Sequence, residues 1–77
     1  MNSMKSEIQV SIVNPPEHKF LAVEIRIGDE QWAELNQEEG VFALEIYSRP
    51  DRQPWRISYK DALEALTKAK QRLIGEY

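Results

Sequence analysis

The sequence predicts an α+β domain: an antiparallel β-meander of four strands, or five, with one C-terminal α-helix packed on one face of the sheet. Three observations carry this expectation. Apolar and polar residues alternate in separate short runs, the period of a half-buried strand. Glycine-bearing tight turns follow two of those runs. The C-terminal part then changes to a helical period, opened by a capping serine.

The chain of 77 residues has room for one domain, 1–77, with residues 1–5 as a loose lead-in. Ile8, Val10 and Ile12 alternate with Gln9 and Ser11, a first strand. Asn14-Pro15-Pro16 stops it, because two prolines cannot sit in a central ladder, and an extended surface connection follows. Leu21, Val23, Ile25 and Ile27 alternate with Ala22, Glu24 and Arg26 in the clearest strand of the chain. Gly28-Asp29 then suits a two-residue hairpin turn of type II′, with glycine first.

Residues 30–36 pull two ways. Their composition suits a helix, and Trp32 and Leu35 sit three apart. The flanking turns favour a strand. A two-residue loop at Gly28-Asp29 pairs Ile25 with Trp32, and a three-residue loop at 38–40, closed by a left-handed Gly40, pairs Trp32 with Ile46. Both registers put Trp32 on the face of Val23, Ile25, Leu44 and Ile46, and that agreement favours the strand. The same register places Glu34 between Val23 and Leu44, a conflict that a β-bulge or an edge position would relieve.

Phe42, Leu44 and Ile46 alternate with Ala43, Glu45 and Tyr47, so residues 41–48 read as a strand. The Pro-bracketed stretch 49–54 is a loop, and Trp55, Arg56 and Ile57 are extended enough to add a short edge strand. Ser58 is a good N-cap for the helix, with Asp61 in its first turn complementing the helix dipole. Ala62, Leu66, Ala69 and Leu73 form one stripe, widened by Tyr59, Leu63, Ala65 and Ile74, and expected to pack on Val23, Ile25, Leu44 and Ile46. Its alanines let the backbone approach a sheet closely, and Gly75 marks the helix end. One helix covers one sheet face, so Gln9, Ser11, Glu24, Arg26, Glu45 and Tyr47 should meet water or a partner.

Composition narrows the function classes. The hydrophobic fraction is 42% and the charged fraction 30%, a globular balance. A core this small leaves modest stability and makes burial in a dimer attractive. The chain has no cysteine, which removes disulfides, cysteine-based zinc sites and thiol nucleophiles, and leans toward a reducing cytoplasm. The N-terminal residues lack the apolar region of a secretory signal, and no apolar run reaches membrane-spanning length. Net charge is −3, unevenly spread. Residues 24–45 hold seven acidic side chains against Arg26 alone, whereas residues 49–72 hold seven basic against three acidic. Such a two-sided surface either is ordinary solvated charge or orients a partner or a second copy.

Few residues are placed for chemistry. His18, the single histidine, lies in a loop beside Glu17 and reads as a solvated residue. One histidine and scattered carboxylates do not make a metal site. The three glycines are explained by turns and a helix end, so no phosphate-binding loop exists and no cofactor is expected. Arg49, Arg52, Arg56 and Lys60 cluster about Trp55, which mixes cations with an aromatic, but the isoelectric point near 5.1 argues against nucleic acid. The expectation is a non-enzymatic protein-binding module, of which an inhibitor or immunity-type protein is one version. It would work through the open sheet face (Arg26, Glu45, Tyr47) or the basic loop (Arg49, Arg52, Trp55, Arg56). The alternative is a structural domain that closes a homodimer. A nucleic-acid-binding or small catalytic domain is less favoured.

Overall fold

The computed structural model describes residues 7–75, so the lead-in expected at 1–5 lies outside the described residues. Four strands, β1 (Ile8–Val13), β2 (Ala22–Ile27), β3 (Glu30–Asn36) and β4 (Ala43–Ile46), precede one helix, α1 (Tyr59–Gly75). The strands pair antiparallel in chain order, β1-β2-β3-β4, so the α+β meander expected from sequence is the fold. Residues 30–36 are a strand. Residues 55–57 form no strand, so the optional fifth strand does not form among the described residues.

Turn chemistry sets where the strands meet. Gly28 has φ 61° and Asp29 does not have positive φ, which is the type II′ pattern. It pairs Ile27 with Glu30 and Arg26 with Gln31, as expected. The ladder then shifts by one residue: Trp32 is inserted as a bulge, and Ile25 meets Ala33. On the other side the loop is one residue longer than expected, so Ala33, and not Trp32, meets Ile46. Both shifts run in the same sense. Trp32 keeps its place in the core, 6% exposed, while Glu34 turns to the face opposite the helix, between Glu24 and Glu45. The conflict that the unbulged register creates is removed.

Gly40 has φ 84°, and its N–H donates to the Gln37 carbonyl at 3.1 Å. A side chain at Gly40 would meet nothing within 4 Å, so replacing it carries a conformational cost and no clash. Gly40→Val is expected to lose about 1–3 kcal/mol. Thermal melting checks this: an unchanged melting temperature would show that the loop adopts another turn without penalty.

Ser58 caps α1 as expected, its Oγ accepting the Asp61 N–H at 3.0 Å. The helix continues through Gly75 instead of stopping before it. Ala65, Ala69 and Leu73 are fully buried, and Ala62 and Leu66 are partly buried against the core. The small alanines let α1 sit close to β1 and β2. Its packing reaches β3 and stops there; α1 makes no packing contact with β4. The reason is width. A helix with its side chains is about 10–12 Å across, while the outer strands of a four-stranded sheet lie about 14 Å apart at the usual spacing. Two expectations are corrected accordingly. Leu44 and Ile46 are not beneath the helix, and Tyr59, Leu63 and Ile74 face water.

Candidate functional site

The face opposite α1 is partly roofed. Pro15 and Pro16 turn the 14–21 connection back on itself, with the His18 N–H donating to the Pro15 carbonyl at 3.0 Å. Glu38 holds that connection in place: its two carboxylate oxygens accept the N–H groups of Lys19 and Phe20, each at 2.8 Å. The Lys19 N–H is the main cause that lowers the Glu38 pKa from its ordinary value; desolvation, next in size, opposes it, and the Phe20 N–H and the charges of His18 and Lys19 add to the lowering.

Beneath this roof lies Glu34, 6% exposed. Its Oε1 accepts the Tyr47 hydroxyl at 3.2 Å, its Oε2 accepts Asn36 Nδ2 at 3.0 Å, and His18 Nδ1 stands 3.4 Å from Oε2. His18 is therefore not the solvated loop residue that its sequence neighbours suggest; its side chain is 12% exposed. The roof brings it over Glu34, and the bulge at Trp32 brings Glu34 to the same side. Neither event is written in local sequence. Glu34 also belongs to a row of three carboxylates, Glu24, Glu34 and Glu45, directly opposite one another on neighbouring strands. Arg26 Nη1 lies 3.9 Å from Glu24, and Gln31 Nε2 donates to Glu24 as well. This network ties side chains to one another. Among the described residues no group of three or more His, Cys, Asp or Glu side chains is placed to hold a metal ion.

Burial pushes the Tyr47 phenol up to about 12, with the Glu34 charge next and Glu45 and Glu24 adding to it. A raised folded-state pKa on an acid means that the neutral form is the one favoured by folding. The stabilisation is complete below about pH 10, the ordinary tyrosine value, and is lost as pH rises toward 12. Alkaline titration of phenolate absorbance is expected to show one tyrosine ionising late, at or with unfolding. Tyr47→Phe should remove that step and flatten the stability profile in this window. A Tyr47→Phe profile that falls as steeply as wild type would show that another group controls it.

The sequence-predicted contact residues divide in the structure. Arg26 is half-buried and closes the hairpin turn, with Nη2 donating to the Asp29 carbonyl at 2.8 Å. Tyr47 is committed to Glu34. Arg49 stands 3.4 Å from Glu30 and 3.6 Å from Asp51, and its guanidinium lies 5.2 Å from the Trp55 ring centroid. Trp55 packs against the core and donates its indole N–H to the Tyr47 carbonyl at 2.8 Å. Glu45, Arg52 and Arg56 are exposed, Arg52 with a positive φ of 62°. Arg26, Tyr47, Arg49 and Trp55 thus hold the molecule together; Arg26 and Tyr47 line one open surface cavity, and Arg49 and Arg52 line another.

A different surface emerges at β4. Phe42, Leu44 and Ile46 leave 41%, 39% and 57% of their surface in water. They lie on the helix side of the sheet, while α1 itself packs on β1, β2 and β3. Lys70 on α1 reaches across to the Phe42 ring, 5.3 Å from its centroid. That contact identifies the helix flank facing β4 as the one carrying Tyr59, Leu63 and Ile74, which recur at helical spacing with Lys70. An apolar trough results, with β4 as its floor and this flank as one wall. Sequence reasoning placed Leu44 and Ile46 in the core; the signal that identifies them is that one helix is narrower than four strands.

Among the described residues no helix is long and apolar enough to cross a membrane. Comparison with known proteins gave no matching family model, no matching curated protein and no matching solved structure, so the function is argued from the chain's own residues.

Proposed function

We propose that this chain is a small, non-enzymatic protein-binding module whose docking element is the edge strand β4. One observation carries the reading: among the described residues, β4 combines an exposed apolar face with a backbone edge that no other strand pairs. Exposed apolar surface on the order of a few hundred Å² is what distinguishes an interaction patch from scattered surface residues. An exposed strand edge is also a template for a further strand. The opposite edge differs, because Arg72 Nη1 donates to the Val10 carbonyl of β1 at 3.2 Å. Inhibition of a larger protein is one form such binding takes. The absence of cysteine suits action in the cytoplasm.

The test is capture of a partner from the source cell by wild type and by Leu44→Lys/Ile46→Lys. Both positions are exposed and lie outside the packed core, so the pair should change stability by no more than about 0.5 kcal/mol per site. A specific partner retained by wild type should be lost by the variant while its circular dichroism is unchanged. A partner that both proteins retain equally would overturn the reading and move attention to the exposed Arg52 and Arg56.

A further inference from the structure

The docking reading leaves the partner's chemistry open, and the open face of the sheet specifies it. We infer that β4 receives an extended segment of another protein that alternates apolar and basic residues: apolar beside Leu44 and Ile46, lysine or arginine beside Glu45. This inference rests on the β4 reading above and adds the class of ligand.

Backbone parity comes first. The Tyr47 N–H donates to the Trp32 carbonyl at 2.9 Å, so the odd-numbered residues of β4 turn their backbone groups toward β3. The even-numbered Leu44 and Ile46 turn theirs outward, and among the described residues no backbone partner meets them. A strand added antiparallel would bond at Leu44 and Ile46. The residue opposite Glu45 then falls at a non-hydrogen-bonded position, where Cα atoms approach to about 4.5 Å and side chains are closest. Its side chain lies on the open face, in line with Glu45, Glu34 and Glu24.

Charge decides what that residue is. Arg26 faces Glu24, and Glu34 is held by Tyr47, Asn36 and His18. Glu45 is exposed and has no cationic partner among the described residues. It is the open end of a carboxylate row, and an opposite charge across the strands stabilises where a like charge repels.

A second copy does not meet this demand. Alternation of faces admits a two-fold antiparallel β4 pair centred on any residue of β4. Opposite Glu45 these registers place Val41, Ala43, Glu45 or Tyr47 of the copy, none of them a cation. An edge carboxylate of this kind guards against self-pairing and at the same time selects a basic partner.

The experiment uses the full chain, labelled with nitrogen-15, and two soluble peptides: an alternating valine–lysine peptide and its valine–glutamate counterpart. The lysine peptide should shift the Leu44 and Ile46 amides and bind at least about tenfold more tightly than the glutamate peptide. Glu45→Lys, at an exposed position, should keep the folded spectrum and reverse that order. Equal binding of the two peptides at the β4 amides would overturn the basic class while leaving edge docking intact. So would a mass that doubles with concentration in light scattering and stays monomeric in Leu44→Lys/Ile46→Lys, which would assign the edge to a second copy. Absence of shifts at β4 with either peptide at millimolar concentration would overturn the docking reading with it.

Discussion

Trp32→Ala is expected to cost about 3–5 kcal/mol, the loss typical of removing a buried large aromatic. On a chain of 77 residues that is enough to unfold much of the population. The position is special for two reasons. The indole is buried in the cluster formed by Val23, Ile25, Leu35 and the helix alanines. It is also the inserted residue of the bulge, and the bulge sends Glu34 to the open face while Ala33 and Leu35 pair on the core side. Alanine leaves a cavity and removes the side chain that rewards the insertion. The alternative, an unbulged ladder, would turn Glu34 inward, where an unpaired carboxylate is strongly disfavoured. Urea unfolding with tryptophan fluorescence from Trp55 measures the loss. A Trp32→Ala protein as stable as wild type would show that the bulge holds without the indole and that the core lies elsewhere.

Leu73→Ala should cost about 2–5 kcal/mol. Leu73 is fully buried and is the large side chain of a helix face otherwise made of Ala62, Ala65, Ala69 and the partly buried Leu66. Because the alanines hold α1 close to the sheet, the neighbours of Leu73 have little room to collapse into the space it leaves. Leu66→Ala should cost less, since part of that side chain already meets water. The ratio of the two effects is diagnostic. If Leu66→Ala proves the more damaging, α1 is rotated toward β4 and the apolar trough is closed.

That trough governs the functional reading. A polar network on one face and an apolar strip on the other each look like a site, but they differ in what their groups still lack. The oxygens of Glu34 are taken by Tyr47 and Asn36, with His18 beside them. Among the described residues, the apolar side chains Leu44 and Ile46 of β4 stay exposed and its outward backbone groups meet no partner. Binding capacity resides in groups that folding leaves unsatisfied, which is why the proposed docking reading rests on β4.

The sequence by itself determined the elements, their order and most of their ends. Strict alternation marked β1, β2 and β4; Gly28 and Gly40 marked turns that need positive φ; Ser58 and the Ala–Leu stripe marked α1. These are local signals, set by backbone sterics and by periods of two or 3.6 residues. Where the expectation missed, two distant segments had to be in place at once. The bulge at Trp32 is chosen by the competition between burying an indole and exposing a carboxylate, and it moved the register by one residue. His18 became a partly buried neighbour of Glu34 only because Glu38 anchors the 14–21 connection over the sheet. Leu44 and Ile46 carry the pattern of core residues and stand in water because one helix cannot span four strands. Local pattern records which side chains would gain from burial; only tertiary geometry decides which of them have something to be buried against.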